Sequence, residues 1–223
     1  GATGWLGSRL VECLLEGLPD GPEMNTTGPH REVRALVEPG VPRHLLAHVA
    51  DRVTFVEGDV TDPGSLTSLF RDSAGGTLFH CAGILNPWRV GLFYRVNVEG
   101  TRNVLAAARK AGIRRVIHVS ADSVLGVNAT PEETFDELSA YAPHTHYGRS
   151  KTLAERAVWE SACSGGAQAV VVRPATFYGP NQPSSRSALL RLVKSGRFPL
   201  VGDGNNRRSL VYVDNVVKVM LLS

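Results

Sequence analysis

Two side chains capable of acid–base chemistry stand four residues apart in the segment Tyr147-Gly148-Arg149-Ser150-Lys151. On a helix, this spacing places a phenol and an ammonium group on one face. A free phenol, with a pKa near ~10, exchanges protons poorly at neutral pH, but a fixed cation stabilises the phenolate and lowers that pKa. The pair predicts a proton shuttle, with Tyr147 as acid and base and Lys151 as its partner. The alternative is a solvated pair on a helix surface.

A glycine turn opens the chain. Gly1-Ala2-Thr3-Gly4-Trp5-Leu6-Gly7 has the spacing G-x-x-G-x-x-G, and a helical pattern follows it. Glycines let the backbone turn tightly and approach a pyrophosphate, which the free N–H groups of a helix N-terminus attract. The turn predicts a dinucleotide site, although glycine clusters also form ordinary turns. A strand should precede such a turn, and the apolar run 216–222 stops without a cap, so we expect a longer native protein.

Two acidic residues follow predicted strands at positions where they could bind the adenosine half of a dinucleotide. Glu38 closes the strand 32–38, where a carboxylate accepts hydrogen bonds from ribose hydroxyls and repels a 2′-phosphate. This favours NAD over NADP, although Glu38 could be a solvated strand end and Arg43 could receive a phosphate. Asp59 stands just past the next strand, either within reach of the adenine or as a turn cap.

The elements that must position these groups alternate along the chain. Val- and Ile-rich runs separated by helical patterns predict an α/β fold with a doubly wound parallel sheet, the Rossmann arrangement. The expected strands are 32–38, 53–57, 77–81, 115–120, 169–173 and 209–213; the expected helices are 8–17, 65–72, 97–110, 150–162 and 188–195; and 19–30 is an expected loop. We expect 1–180 to form an NAD-binding domain whose first strand is missing, and 181–223 to form part of a small C-terminal substrate-binding lobe.

Composition limits the classes of protein that remain. The chain has 223 residues, 43% of them hydrophobic, which suffices for one substantial core. The net charge is only +3 with both signs interspersed, so we expect no nucleic-acid partner. No apolar run reaches membrane-spanning length, so we expect no membrane partner and a cytoplasmic location. The three cysteines are widely spaced and are expected to be reduced.

Eight stretches that span nearly the whole sequence resemble the extended short-chain dehydrogenase/reductase family, which includes NAD-dependent epimerases and dehydratases and 3β-hydroxysteroid dehydrogenases. They are GATGWLG, EGDVTD, HCAG, RVNVEGT, HVSADSVLG, YGRSK, RPATFYGP and GDGNNRRSLVYVDNVV, in the family's order. The resemblance implies an enzyme that uses NAD, with Tyr147 as acid and base and Lys151 as its partner. It also implies a homodimer formed through a bundle of the helices 97–110 and 150–162.

The same resemblance, together with the glycine turn and the two acids, gives a set of expected cofactor-binding residues. The set is Gly1, Gly4, Trp5, Leu6, Gly7, Glu38, Asp59, Val60, Cys81, Ala82, Gly83, Tyr147, Lys151, Pro174 and Ala175. The resemblance implies that Trp5 and Leu6 pack on the pyrophosphate and that residues 81–83 line the cofactor. It implies that residues 174–175 lie near the nicotinamide.

One position departs from the family pattern. In the family, the strand before the tyrosine usually ends with a serine or threonine whose hydroxyl binds the reacting oxygen, and the matching residue here is Ala121. Ser123 lies on the same side of an ideal strand as Ala121, and Ser120 lies on the other side. Irregular geometry at the strand end could let Ser123, or less readily Ser120, supply the hydroxyl. If neither does, catalysis loses a hydrogen bond worth on the order of 2–4 kcal/mol. We expect Ser123 to be the third catalytic residue.

Two residues are predicted to bind substrate. Arg208 resembles the arginine with which sugar-nucleotide epimerases hold a diphosphate, although a charged turn is the alternative. Asn181 either contacts a substrate or caps the turn that precedes it. Asp122 matches an acidic position of sugar-nucleotide dehydratases, but Ser123 replaces their adjacent glutamate, which weakens a dehydratase interpretation.

His144 and His146 flank the tyrosine as polar loop residues, and no third ligand is evident, so no metal site is expected. The sequence therefore favours an NAD-dependent oxidoreductase or epimerase that acts on a secondary alcohol or ketone of a small molecule, with a sugar nucleotide preferred. Two alternatives remain open. One is a reductase like the 3β-hydroxysteroid dehydrogenases, and the other is a catalytically weak dinucleotide-binding sensor, which Ala121 would favour.

Overall fold

Parallel strands alternate with helices through the residues that the computed structural model describes, which are 1–19, 32–130, 132–184, 187–196, 202–205 and 207–223. The strands are β1 (Val33–Val37), β2 (Val53–Glu57), β3 (Thr77–His80), β4 (Arg115–Val119), β5 (Gln168–Val172), β6 (Thr176–Tyr178) and β7 (Leu210–Tyr212). The α-helices are α1 (Trp5–Glu16), α2 (Gly100–Lys110), α3 (His146–Cys163), α4 (Ala188–Lys194) and α5 (Val213–Leu222). Except for Pro19, the predicted loop 19–30 lies outside the described residues.

The strands pair in parallel in three groups. β1 pairs with β2, β4 lies between β3 and β5, and β6 pairs with β7. In the central group, Ile117 of β4 lies opposite Phe79 of β3 and Val170 of β5. Parallel neighbours require crossover connections, and helices supply most of them here. This pairing confirms the predicted α/β class.

Helices cover both faces of the central sheet. On one face, Leu105 of α2 and Val158 of α3 share a buried core cluster with Val116 of β4. On the other face, Leu10 of α1 and Met220 of α5 share a second cluster with Ile117 of β4. Neighbouring residues of a strand point to opposite faces, which explains why Val116 and Ile117 of β4 pack in different clusters. The doubly wound arrangement is therefore confirmed.

Several helices begin earlier than the sequence predicts. α1 starts at Trp5, directly within the glycine turn. α3 starts at His146 because the Thr145 hydroxyl accepts a hydrogen bond from the Gly148 N–H and caps the helix. His146 is therefore helical and not a loop residue. The helix predicted from residue 97 is preceded by a π-helix, Phe93–Glu99, which continues into α2.

The prediction of a helix over 65–72 was wrong. Residues Pro63–Leu66 form a short 3₁₀-helix that Asp62 caps by accepting a hydrogen bond from the Gly64 N–H. Proline and glycine at its start disfavour a longer α-helix. Two further elements were not predicted: the 3₁₀-helix His44–Arg52 and the three-residue strand β6. Both are too short or too irregular to produce a clear periodic pattern.

One buried ion pair joins α3 to the end of β5. Glu155 of α3 is 0% exposed and accepts hydrogen bonds from Arg173 Nη2 and from the Tyr141 hydroxyl, each at 2.8 Å. Arg173 directly follows β5, and its guanidinium lies 5.1 Å from the centre of the Tyr141 ring. Burial of both charges is costly and is offset only while each keeps its partners. The pair fixes α3 against the segment that leads into residues 174–175.

We expect Arg173→Met to lower the free energy of unfolding by about 3 kcal/mol, because it leaves the Glu155 carboxylate buried without its cation. The matched control, Arg102→Met, removes the pair between Arg102 and Glu99, whose side chains are 52% and 58% exposed. It should cost less than about 1 kcal/mol. Urea unfolding followed by circular dichroism measures both variants. If Arg173→Met and Arg102→Met lowered the free energy of unfolding equally, the buried pair would have no special role in stability.

Candidate active site

The glycine turn lies against the backbone that leaves β3. An added Cβ on Gly1 would lie 2.5 Å from the Ala82 nitrogen, and one on Gly7 would collide with the Gly1 carbonyl group. These neighbours are backbone atoms, so no side-chain rotation relieves the contact. α1 begins directly after Gly4, and no side chain caps its first N–H groups. Free N–H groups at a helix N-terminus behind a glycine cradle suit an anion such as a pyrophosphate.

Asn97 organises the loop after β3, in which residues 81–83 are predicted to line the cofactor. Its Oδ1 accepts a hydrogen bond from the Ile84 N–H at 2.8 Å, and its Nδ2 donates to the Ile84 carbonyl at 3.1 Å and to Ser150 Oγ at 2.9 Å. Asn97 lies in the π-helix, a conformation frequent at functional sites. It thereby ties the loop to α3. Sequence reasoning missed this role, although Asn97 belongs to the quoted stretch RVNVEGT.

Lys151 is buried between α3 and the end of β4. Its side chain is almost fully enclosed, and its Nζ donates a hydrogen bond to the Val119 carbonyl at 2.7 Å. An added Cβ on Gly83 would lie 4.0 Å from this Nζ, so Lys151 borders the loop after β3. Burial lowers the pKa of Lys151 to about 8, against opposing effects of Glu155 and Cys81. Lys151 is therefore not the solvated surface lysine of the alternative interpretation.

Tyr147 lies one helical turn before Lys151, in the first turn of α3. Its ring is half-buried, and the centre of that ring lies 6.1 Å from the centre of the Phe93 ring. The Tyr147 carbonyl accepts a hydrogen bond from Ser150 Oγ at 2.7 Å, and Ser150 in turn accepts from Asn97. The predicted i, i+4 helical placement of the phenol and the ammonium group is thus present in the fold.

Ser123 lies beside the same turn of α3. An added Cβ on Gly148 would lie 2.5 Å from the Ser123 carbonyl oxygen, so only glycine allows this approach. The backbone over Asp122–Val124 forms a 3₁₀ turn, which is the irregular geometry that the sequence left open. Ser123 Oγ and Ser120 Oγ are both buried, and neither has a hydrogen-bond partner among the described residues. A buried hydroxyl without a partner is uncommon, so both hydroxyls are candidates to bind a ligand oxygen.

The two predicted substrate residues lie at opposite ends of β6: Arg208 contacts its first residue, and Asn181 follows its last residue, Tyr178. Arg208 Nη2 donates to Thr176 Oγ1 at 3.1 Å. Partial desolvation raises the pKa of Asp122, and the charge of Arg208 opposes that rise, which places the two groups near each other. Asn181 has a φ of 58°, in the left-handed region.

The adenosine side of the predicted site is more open. Glu38 is exposed directly after β1. Arg43 donates to Glu57 at 2.6 Å and lies over the Phe55 ring at 5.0 Å. Asp59 Oδ1 accepts a hydrogen bond from the backbone N–H two residues on at 2.8 Å, which confirms its role as a turn cap. Contacts of Asp59 and of the following valine, Val60, with a cofactor stay predictions.

The described part of the chain contains neither a metal-binding cluster nor a membrane-spanning helix. No group of three or more His, Cys, Asp or Glu side chains there has the arrangement of a metal site. No helix in that part combines the length and apolar character needed to cross a membrane. His146 Nδ1 lies 2.9 Å from the hydroxyl oxygen of Tyr94.

Residues 1–223 match the family model described as the NAD dependent epimerase/dehydratase family. The chain belongs to this family. The match covers every residue that carries the resemblance stated above, from the glycine turn to α5. The assignment to the extended short-chain dehydrogenase/reductase group is therefore confirmed.

The chain is similar to proteins that carry enzyme names. An uncharacterized protein of Sinorhizobium fredii, y4nL, is 41% identical over 224 residues, which cover 100% of this chain and 62% of the relative. The N-acetyl-alpha-D-glucosaminyl-diphospho-ditrans,octacis-undecaprenol 4-epimerase of Escherichia coli O157:H7 is 36% identical over 220 residues, which cover 98% of this chain and 60% of the relative. A crystal structure of a dTDP-glucose 4,6-dehydratase from Streptomyces venezuelae with NAD bound has a TM-score of 0.82 at 30% identity, covering 100% of this chain and 69% of that one. The chain spans about three fifths of the length of these two curated relatives.

Replacement of Lys151 should remove a pH dependence of stability. Burial lowers the native pKa of Lys151 to about 8, whereas a lysine in the unfolded chain titrates near ~10.4. Between these values the unfolded chain binds more protons than the native chain, so the native state gains stability as the pH rises. We expect the free energy of unfolding of the wild type to increase relative to Lys151→Met between about pH 8 and about pH 10.

Urea unfolding at several pH values measures this difference. The control variant is Lys110→Met, which replaces an exposed lysine at the end of α2. The burial of this ammonium group would be contradicted if the difference in free energy of unfolding between the wild type and Lys151→Met did not change with pH.

Proposed function

We propose that residues 1–180 bind NAD and carry the catalytic groups of an oxidoreductase or epimerase, and that 181–223 contribute to a substrate-binding lobe. The reaction is hydride transfer at a secondary alcohol or ketone carbon of a sugar nucleotide or a related sugar diphosphate. One observation carries the proposal: the backbone of Ser123, whose buried hydroxyl has no partner among the described residues, lies against the helical turn of Tyr147. Lys151, which is buried, follows Tyr147 by four residues on the same helix. This arrangement would bring an oxygen-binding group, an acid–base group and a fixed cation to one site.

The glycine turn fits the pyrophosphate of NAD, because added Cβ atoms would fill the cradle at Gly1 and Gly7. The N–H groups at the start of α1, at Trp5 and Leu6, would hold its phosphates. Glu38 would accept hydrogen bonds from the adenosine ribose. Arg43 is paired with Glu57, which leaves it less able to bind a 2′-phosphate and favours NAD over NADP. Bound NAD supplies the acceptor or donor of the hydride.

Residues on the other side of the cradle would hold the reactive half of the cofactor. The loop 81–83 lies beside Lys151, as the distance from the Gly83 position shows. The Asp122 N–H donates to the Pro174 carbonyl at 3.2 Å, which holds Pro174 and Ala175 next to the turn that carries Ser123. These contacts favour a nicotinamide position near Tyr147 and Ser123.

Tyr147 would give a proton to, or take one from, the substrate oxygen. Because the pKa of Lys151 is lowered only to about 8, the ammonium form predominates at neutral pH. A cation fixed by the Val119 carbonyl stabilises a phenolate and so brings the phenol closer to working pH. Burial strengthens this effect because little water screens the charge.

Ser123 would replace the hydroxyl that the family usually places at the position of Ala121. A hydroxyl without an existing partner gains a hydrogen bond when a substrate oxygen arrives and breaks none. A catalytic hydroxyl at Ser123 would weaken the alternative of a catalytically weak sensor. Retention of both Tyr147 and Lys151 speaks against that alternative as well.

Arg208 would bind the diphosphate of the substrate, and Asn181, at the other end of β6, would contact a different part of it. Arg208 is exposed and donates one hydrogen bond to Thr176. Because a guanidinium has five N–H donors in a fixed fork, the other donors can still bind a diphosphate. The names of the two characterised relatives contain a sugar joined to a diphosphate or a dTDP-linked sugar. Both facts favour a sugar diphosphate over a steroid.

We predict that Ser123→Ala lowers kcat by roughly 10²-fold, because one donor to the developing charge is lost. The matched control is Ser120→Ala, which removes a hydroxyl that is also buried and without a partner and should have little effect. Turnover of UDP-N-acetylglucosamine and dTDP-glucose by the full-length protein, followed by product analysis, measures both. Tyr147→Phe should abolish turnover while NADH binding persists.

The opposite ranking, a larger loss in Ser120→Ala than in Ser123→Ala, would show that Ser120 supplies the hydroxyl. A wild type that binds NADH but converts neither substrate would favour the sensor alternative.

We also propose that two copies associate through α2 and α3. The groove between these helices is open and about 680 Å³ in volume, and it is lined by small and charged side chains such as Ala106, Arg109, Ala157 and Glu160. Small side chains allow close approach of a second helix pair, and charges of both signs can pair across a two-fold axis. Trp159 of α3 is 41% exposed and would be covered by the same association.

Ala106→Glu should therefore convert a dimer into a monomer, because its longer side chain occupies the space that Ala106 leaves for the second helix pair. Ala50→Glu, at an exposed position of the 3₁₀-helix His44–Arg52, is the control. Sedimentation equilibrium of the full-length protein measures both. A dimeric Ala106→Glu variant would contradict the proposed interface.

A further inference from the structure

The indole of Trp5 connects the glycine turn to the loop that carries Asn181. Its Nε1 donates a hydrogen bond to the Pro180 carbonyl at 2.6 Å, between residues 175 positions apart in the sequence. Its ring centre lies 4.7 Å from that of Phe177 in β6, and the side chain is 7% exposed. The residue at the start of α1 therefore holds the turn after β6.

That turn has a backbone conformation that needs external support. Asn181 has a φ of 58° and Gly179 a φ of 146°, both in the region that favours glycine. An added Cβ on Gly179 would lie 2.7 Å from Val213 Cγ1 at the start of α5. Left-handed backbone at a residue other than glycine persists where surrounding contacts hold it. One of those contacts is the hydrogen bond from Trp5.

The chemistry of this contact is specific to tryptophan. A phenylalanine at position 5 would keep an aromatic ring against Phe177, but it has no N–H to donate to the Pro180 carbonyl. The backbone N–H of Trp5 belongs to the helix N-terminus that suits a pyrophosphate, and its side chain holds the turn of Asn181. One residue thus faces both predicted ligands.

We infer that Trp5 is a positioning residue that couples cofactor binding to substrate binding. A dinucleotide that orders the glycine turn also orders the Trp5 indole, and through it the Pro180–Asn181 turn. A nucleoside diphosphate that contacts Asn181 then binds to a turn already held in place. Two ligands that order one shared residue bind with positive coupling. The inference rests on the proposed function, because it requires both ligands.

The test measures that coupling directly in the full-length protein. Calorimetry gives the Kd of UDP and of dTDP with and without saturating NAD⁺, and the ratio of the two Kd values is the coupling factor. By linkage, the same factor must appear for NAD⁺ with and without the nucleoside diphosphate. We expect the wild-type factor to be at least about 5, the lower end of typical couplings, and the Trp5→Phe factor to approach 1.

Arg9→Met supplies the control for a merely structural effect. Arg9 also fastens α1 to another element, through hydrogen bonds of 2.6 and 2.8 Å to Asp214 of α5. Its hydrogen bonds among the described residues go to Asp214 and Glu12 and not to the Asn181 turn. This variant should lose thermal stability and keep the wild-type coupling factor. A factor near 1 in the wild type, an unchanged factor in Trp5→Phe, or failure of both diphosphates to bind in the presence of NAD⁺ would overturn the inference while leaving the NAD site intact. Failure of the wild type to bind NAD⁺ would instead refute the proposed function.

Discussion

The close packing of the glycine turn against the backbone leaving β3 is the contact on which the site depends. Added Cβ atoms at Gly1 or Gly7 would collide with backbone atoms, and no side-chain rotation can relieve the collision. The contact fixes the N-terminus of α1 at the carboxyl edge of the central sheet. Loops from β3 and β4 meet at the same edge, because the strands are parallel. The loop after β3 therefore touches the glycine turn at Ala82 and borders the Lys151 ammonium group at Gly83.

The electrostatics of this edge follow from burial. The Lys151 ammonium group is desolvated, and the Val119 carbonyl offsets part of that cost. Two buried histidines lie nearby, with ring centres 5.1 Å apart. Burial, followed by the charge of Lys151, lowers the pKa of His80 to about 3 and lowers that of His118 well below its usual value. Both imidazoles are thus neutral at physiological pH, and Lys151 is not opposed by further positive charge.

Local patterns were predictable from the sequence, and long-range contacts were not. The spacing of Tyr147 and Lys151 and the glycine turn are properties of short segments, so their helical and turn conformations could be anticipated. The burial of Lys151 depends on how α3 packs on β4, and the position of Ser123 depends on a 3₁₀ turn and on its approach to Gly148. Asn97 lay within a recognised motif, but its hydrogen bonds to Ile84 and Ser150 join separate parts of the chain. No local pattern encodes such partners.

Titration with NADH and NADPH tests whether the glycine turn binds a dinucleotide. Nicotinamide fluorescence would be followed for the full-length wild type, for Gly7→Ala, and for Gly91→Ala, where an added Cβ meets nothing within 4 Å. The structure predicts that the wild type and Gly91→Ala bind NADH equally and in preference to NADPH, and that Gly7→Ala loses this binding. Unchanged NADH affinity in Gly7→Ala, or no dinucleotide binding by the wild type, would contradict the account.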